Sequence, residues 1–139
     1  MRSRTKKISG FTLIEVLIVV VVIGVLTVIA YPSFERFIVK TNRGDAHSTL
    51  QNVQLLQERY RATEGLYGTR EEIGAPTSSL EGHYLITIPE NSRVGYRVLA
   101  TAQGQQQARE QRLFGLQCQI ITLEVNFAGI TRTPDECWR

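Results

Sequence analysis

The chain has 139 residues, 42% hydrophobic and 21% charged, with a formal charge of +3, two cysteines and two histidines. Four of its 16 Lys and Arg residues fall within the first seven positions, and the remainder sets 12 basic residues against 13 acidic ones. That balance lacks the positive footprint of a general nucleic-acid binder. Beyond a membrane-length apolar segment, about 100 residues remain, enough for one small domain and too few for a deep catalytic cleft.

Residues 1–10 carry Arg2, Arg4, Lys6 and Lys7 and no acid, and from Phe11 to Tyr31 the only charged side chain is Glu15. As a helix rising about 1.5 Å per residue, this run spans ~30 Å, the thickness of a bilayer's hydrocarbon core. The basic flank holds the N-terminus on the cytoplasmic side. A carboxylate in such a run costs about 2.5–3.5 kcal/mol at mid-membrane and less near the interface, so Glu15 calls for a partner.

The basic leader ending in Gly10, followed by Phe11-Thr12-Leu13-Ile14-Glu15 and an unbroken aliphatic run, closely resembles the class III signal of type IV pilins and pseudopilins. The resemblance implies that a prepilin peptidase cuts between Gly10 and Phe11 and that Phe11 is then N-methylated. It also implies that Glu15 neutralises the α-ammonium of a neighbouring subunit during assembly. Within one chain, Glu15 could instead interact with its own N-terminus and the helix dipole. A plain signal-anchor helix leaves Gly10-Phe11 and Glu15 as coincidences. A secretory signal would have to be cut at Val28-Ile29-Ala30, a poor match to small-residue sites. A core helix apolar on every side would need more surrounding chain than exists here.

Pro32 sits where the apolar run ends, and Gly24 lies eight residues earlier. Between them, β-branched residues weaken helical preference, and proline removes a hydrogen bond and kinks or breaks a helix. This resembles the pilin segment between a glycine and a proline that loses helicity as subunits pack into a filament; a simple bend at the membrane surface fits as well. From Ser33 to about Thr63 the helical pattern resumes, with Phe34, Phe37, Ile38, Ala46, Leu50, Val53, Leu56 and Tyr60 as the apolar stripe and Gln51, Gln54, Glu58 and Arg59 facing out. Gly44 disfavours a helix interior by about 1 kcal/mol relative to Ala, so the expectation is a continuous, bent helix. Glu64-Gly65-Leu66-Tyr67-Gly68 supplies the stop.

Strand character follows at Tyr84–Ile88, Tyr96–Thr101 and Ile120–Phe127, with a turn at Asn91–Gly95. Gln103–Arg112, rich in Gln and without a large apolar residue, reads as a mobile exposed loop or a contact surface. Cys118 and Cys137 form an even pair on the translocated, oxidising side and read as a disulfide rather than a metal site. Such a bridge closes about 20 residues and stabilises a small domain by ~3 kcal/mol. It resembles the disulfide-bounded loop near the C-terminus of type IV pilins, and the Cys-Trp-Arg ending is similar to PilE-type minor pilins. The chain departs from the family in having no second proline between Pro32 and Pro76 and no Asp shortly before Cys118.

His47 and His83 lack metal-like neighbours in sequence, and no phosphate loop, nucleophile elbow or acid–base carboxylate pair is present. No catalytic, cofactor or metal site is expected. The resemblance implies an α+β pilin fold in which a long N-terminal helix packs on a small antiparallel sheet. It divides the chain into a cleaved leader (1–10), a transmembrane and filament-core helix (11–32) and a periplasmic globular domain (33–139). The implied role is an inner-membrane prepilin that becomes a minor subunit of a type IV pilus serving adhesion and twitching motility. The implied partners are major and minor pilin subunits, the prepilin peptidase, the inner-membrane pilus assembly machinery and membrane lipid. Two alternatives remain. A type II secretion pseudopilin shares the leader and Glu15, and a filament-borne DNA-uptake receptor would need Arg97, Arg109, Arg112 and Arg132 to converge. DNA is not expected as a partner.

Overall fold

The structure, a computed structural model, describes residues 10–115 and 117–138. Residues 1–9, which hold the basic part of the expected leader, and the final Arg139 lie outside the described residues. The element order is α1 (Leu13–Glu64), β1 (Tyr84–Asn91), β2 (Tyr96–Ala102), α2 (Gly104–Phe114), β3 (Ile120–Asn126), β4 (Gly129–Thr133) and a single 3-10 turn, Asp135–Cys137. The chain divides into two units, Met1–Glu35 and Arg36–Arg139.

In the first unit the apolar side chains from Leu13 to Ile29 are all more than half exposed, on every side of the helix. The helix is long and apolar enough to cross a membrane, and none of its apolar window is buried. Helical structure runs through both Gly24 and Pro32, although Pro32 has no N–H to offer the carbonyl one turn earlier.

In the second unit, an antiparallel sheet of order β1-β2-β3-β4 packs its inner face on the helix. That face carries Tyr84 and Ile86, then Tyr96, Val98, Ala100 and Ala102, then Ile121, Leu123 and Val125, all joined with Ala46, Leu50 and Val53 in one core. The period-2 burial of β2 and β3 follows from a sheet with one face packed and one wet. The α+β pilin arrangement expected from the sequence is the one observed, and the turn between β1 and β2 falls at Asn91–Gly95. Gly65, at φ 74°, ends α1 and donates its N–H to the Arg61 carbonyl at 2.9 Å. This left-handed position favours glycine.

Three expectations need correction, and one strand was not foreseen. Phe34 and Phe37 are 60% and 67% exposed, not part of the inner stripe. That stripe is Val39, Arg43, Ala46, Thr49, Leu50, Val53 and Gln57, so three of its seven positions are polar and invisible to a hydrophobic pattern. Gln103–Arg112 is not a loop but lies largely within α2, because Gln, Arg and Glu are good helix formers and its buried positions, Gln106 and Glu110, are polar too. β3 stops at Asn126, and Phe127 stands 94% exposed at the apex of a two-residue turn. The fourth strand, Gly129–Thr133, has no apolar alternation because all five residues are exposed; pairing with β3 alone makes it a strand.

Candidate processing and assembly site

The start of α1 is built by Thr12. Its hydroxyl oxygen accepts from the Glu15 N–H at 3.3 Å, and its carbonyl accepts from the Val16 N–H at 3.3 Å. Thr12-x-x-Glu15 is therefore the sequence form of a capping box, a local signal that the hydrophobic pattern hides. The cap puts the Glu15 carboxylate in the first helical turn, where the helix dipole favours a negative charge. Gly10 and Phe11 precede the helix and are exposed, Phe11 by 84%. Phe11, Glu15, Val16, Val19 and Val20 line a shallow apolar groove of about 260 Å³. Gly10, Phe11 and Glu15 thus lie together at one helix end, two residues ahead of the helix and an acid in its first turn.

At the other end of the chain, Cys118 and Cys137 are bonded, with Cα atoms 5.7 Å apart, an ordinary span for a disulfide. Both are buried in the core of the second unit. The tail they tether is clasped by α1. The His47 ring stacks on Trp138, with centroids 4.6 Å apart and planes 7° from parallel, and its Nε2 lies 2.9 Å from the Cys137 carbonyl oxygen. Burial is the main cause holding the His47 pKa below its ordinary value; Arg43 adds to the lowering and the Cys137 carbonyl opposes it. The Arg132 guanidinium lies 5.5 Å from the Trp138 ring centre. His47 is thus a structural clasp, while His83 stands 3.3 Å from Glu81 at the surface.

The buried polar stripe explains α2. Arg43 donates from Nε and Nη2 to the two Glu110 oxygens at 2.8 and 2.7 Å, and both side chains are almost wholly buried. Gln106 Nε2 donates to the Val39 carbonyl at 3.2 Å and to Glu110 at 3.1 Å, and Asn42 donates to Gln106 at 3.0 Å. The Phe114 ring lies 4.4 Å from the Arg43 guanidinium carbon. Lower on the stripe, Gln57 grips both the N–H and the C=O of Gly68, at 2.9 and 2.7 Å. A side chain at Gly68 would strike Ile73 and Tyr60 at about 2.8–2.9 Å.

The four arginines considered for a DNA stripe do not share one face of the sheet. Arg97 pairs with Glu90 at 2.8 Å and Glu124 at 3.2 Å, and Arg132 is registered with Leu123, on the opposite sheet face. Arg109 and Arg112 belong to α2. Among the described residues, no group of three or more His, Cys, Asp or Glu side chains could hold a metal ion.

Comparison with known proteins yields two family matches that meet at Pro32. The family described as "Prokaryotic N-terminal methylation motif" matches residues 5–31, and that described as "Type IV minor pilin ComP, DNA uptake sequence receptor" matches residues 32–122. The type IV major pilin protein PilA of Myxococcus xanthus (strain DK1622) is 35% identical over 95 residues, 67% of this chain and 38% of PilA. The fimbrial protein EcpC of Eikenella corrodens is 24% identical over 80 residues, 58% of this chain and 52% of its own. The type IV major pilin protein PilE1 of Neisseria gonorrhoeae is 25% identical over 82 residues, 58% and 38% respectively. The matches thus span from 38% to 52% of the length of these relatives. Pilin-family proteins are structural subunits rather than enzymes. With its prepilin motif, its α+β fold and a family match over 32–122, the chain belongs to the type IV minor pilin ComP family of type IV pilins.

Proposed function

We propose that this chain is an inner-membrane prepilin whose mature form is a minor subunit of a type IV pilus. Residues 1–10 are the leader, 11–32 the membrane and filament-core segment, and 33–139 the periplasmic domain. The observation that carries the reading is the capped helix start, in which Gly10-Phe11 runs into a helix bare of packing on every face with one acid in its first turn. An apolar surface of that extent is stable only in lipid or against other helices.

On this reading the prepilin peptidase cuts after Gly10 and methylates Phe11. The new α-ammonium and Glu15 are two charges at an apolar boundary, and each is neutralised most cheaply by a neighbouring subunit's partner group. The segment from Gly24 to Pro32, helical here, is where helicity is lost on packing, since Pro32 already lacks one bond. The inner-membrane assembly machinery then adds the subunit to a fibre that serves adhesion and motility.

N-terminal sequencing of the membrane-extracted chain tests the reading. A mature start at N-methyl-Phe11 is expected, Gly10→Leu should block cleavage, and retention of Met1 in cells with an active peptidase would refute it. Glu15→Leu should insert normally yet be depleted from sheared pili; wild-type incorporation would remove Glu15 from assembly.

A second reading, a filament-borne receptor for DNA, is favoured by the description of the family that matches residues 32–122. The second unit carries 12 basic and 11 acidic residues, so binding on this reading rests on a few local cations rather than net charge. Affinity of purified filaments for duplex DNA should then fall only shallowly with salt. Absence of binding at low ionic strength would discard it.

A further inference from the structure

Residues 36–44 of α1 carry three cations, Arg36, Lys40 and Arg43, and no acid. At about 100° per residue the three fall within about 60° of one another, on one face of the helix. The fold treats them differently. Arg43 is turned into the domain and 3% exposed, with the Glu110 carboxylate at 2.7 Å and the Phe114 ring against its guanidinium. Arg36 and Lys40, one helical turn apart, stay exposed, and the ion pairs found among the described residues involve neither. Beside them stands Phe37, 67% exposed. Chain length limits what this face can meet. Arg36 follows Pro32, the end of the apolar run, by four residues. Whatever direction the chain takes there, four residues reach at most ~14 Å, and Lys40 stands one turn, ~6 Å, further. Side chains on a helix lean toward its N-terminus, so both cations lean toward that run.

We propose that Arg36 and Lys40, with Phe37 beside them, form a site for the phosphates of anionic lipid headgroups, of the phosphatidylglycerol kind, in the periplasmic leaflet. The site rests on the reading of the preceding run as a membrane span, and it adds which lipid the chain selects and with which residues. The headgroup layer outside the hydrocarbon core is roughly 5–8 Å deep, and Arg and Lys reach such a layer by laying their methylene stems along apolar surface. Basic residues set beside Phe are the composition of a helix face that lies at a lipid interface. Charge selects the headgroup. A zwitterionic lipid carries a cation beside its phosphate, whereas an anionic one leaves the phosphate charge to the protein. Glu110 confines the site to the two cations nearest the membrane, because it already neutralises the third.

The test is lipid selectivity of the full-length chain in phosphatidylcholine bilayers. Electron spin resonance of spin-labelled phosphatidylglycerol and phosphatidylcholine gives the ratio of their affinities for the protein. The four cations of residues 1–10 add to that ratio, so the site is read from the difference between variants. Arg36→Gln/Lys40→Gln should lower the preference for phosphatidylglycerol, by up to roughly five-fold per cation. Arg36→Lys should keep the preference, and Arg59→Gln, at an exposed cation farther along α1, should leave it unchanged. Salt at about 1 M should erase the difference, since the Debye length falls to about 3 Å. Trp138 fluorescence, set by the stack on His47, verifies the fold of each variant. An unchanged ratio in the folded double variant would overturn the site. Binding of a short DNA duplex to the detergent-solubilised chain, lost in the double variant and unaccompanied by a lipid preference, would overturn it too. A chain that alkaline carbonate strips from the bilayer would overturn the span reading, an outcome distinct from a chain that stays inserted and shows no preference.

Discussion

The two halves of α1 share one backbone conformation and differ in everything their side chains meet. From Leu13 to Ile29 each large apolar side chain is more than half exposed, whereas Val39, Ala46, Leu50 and Val53 are wholly buried. The first half holds one acid, Glu15, in the first turn of an otherwise apolar run, where an unpaired carboxylate is costly. The second holds Arg43, paired within the domain with Glu110 of α2, with Gln106 and Tyr84 around them. Secondary structure is therefore a poor guide to role here. What separates anchor from domain is where each polar group finds its partner.

The strongest way to break that contrast is to remove one member of the buried pair. Glu110→Ala should destabilise the folded domain by about 3–5 kcal/mol, because it leaves the Arg43 guanidinium buried and unpaired. The double variant Arg43→Met/Glu110→Leu should recover most of the loss. Denaturant unfolding of the full chain in detergent measures both, with Trp138 as the sole tryptophan reporter. Equal midpoints for Glu110→Ala and wild type would show that the pair does not hold α2.

A matched pair of truncations sharpens the comparison directly. Leu50→Ala should cost about 2–5 kcal/mol in the same assay, while Leu17→Ala, at a site 52% exposed, should leave the midpoint within about 0.5 kcal/mol of wild type. Comparable effects at both sites would mean that the apolar half is packed against the domain's cooperative core.

Loss of the Cys118–Cys137 bridge should cost about 3 kcal/mol by the loop-entropy argument. Serine at both positions would then lower the denaturant midpoint clearly, and reduction of the wild type should reproduce the effect. Unchanged midpoints would leave the tail held by the His47–Trp138 stack alone.

The smallest effect is that of pH on the clasp. The folded-state pKa of His47 lies below its ordinary value of 6.5, so the unfolded chain binds the proton more readily. The His47 contribution is therefore complete above about pH 6.5 and is lost as pH falls through the folded-state value. Trp138 fluorescence and the unfolding midpoint should both register this loss. His47→Phe should flatten the dependence, and an unchanged slope would assign it to other groups.

Local chemistry wrote the anchor, the cap, the Gly65 stop, the alternating strands β2 and β3 and the two cysteines into the sequence. Each depends on residues close together in the chain, or on a periodicity that a single face imposes. The leader motif was legible for the same reason, since Gly10, Phe11 and Glu15 lie within six positions. Tertiary structure alone decided that Gly129–Thr133 is a strand, and that Arg43, Gln57, Gln106 and Glu110 face inward. A buried polar residue is stabilised by one specific partner, and Arg43 finds its own 67 residues away. No local pattern announces a pairing of that kind, because its free energy exists only after α1, α2 and β1 have been brought together.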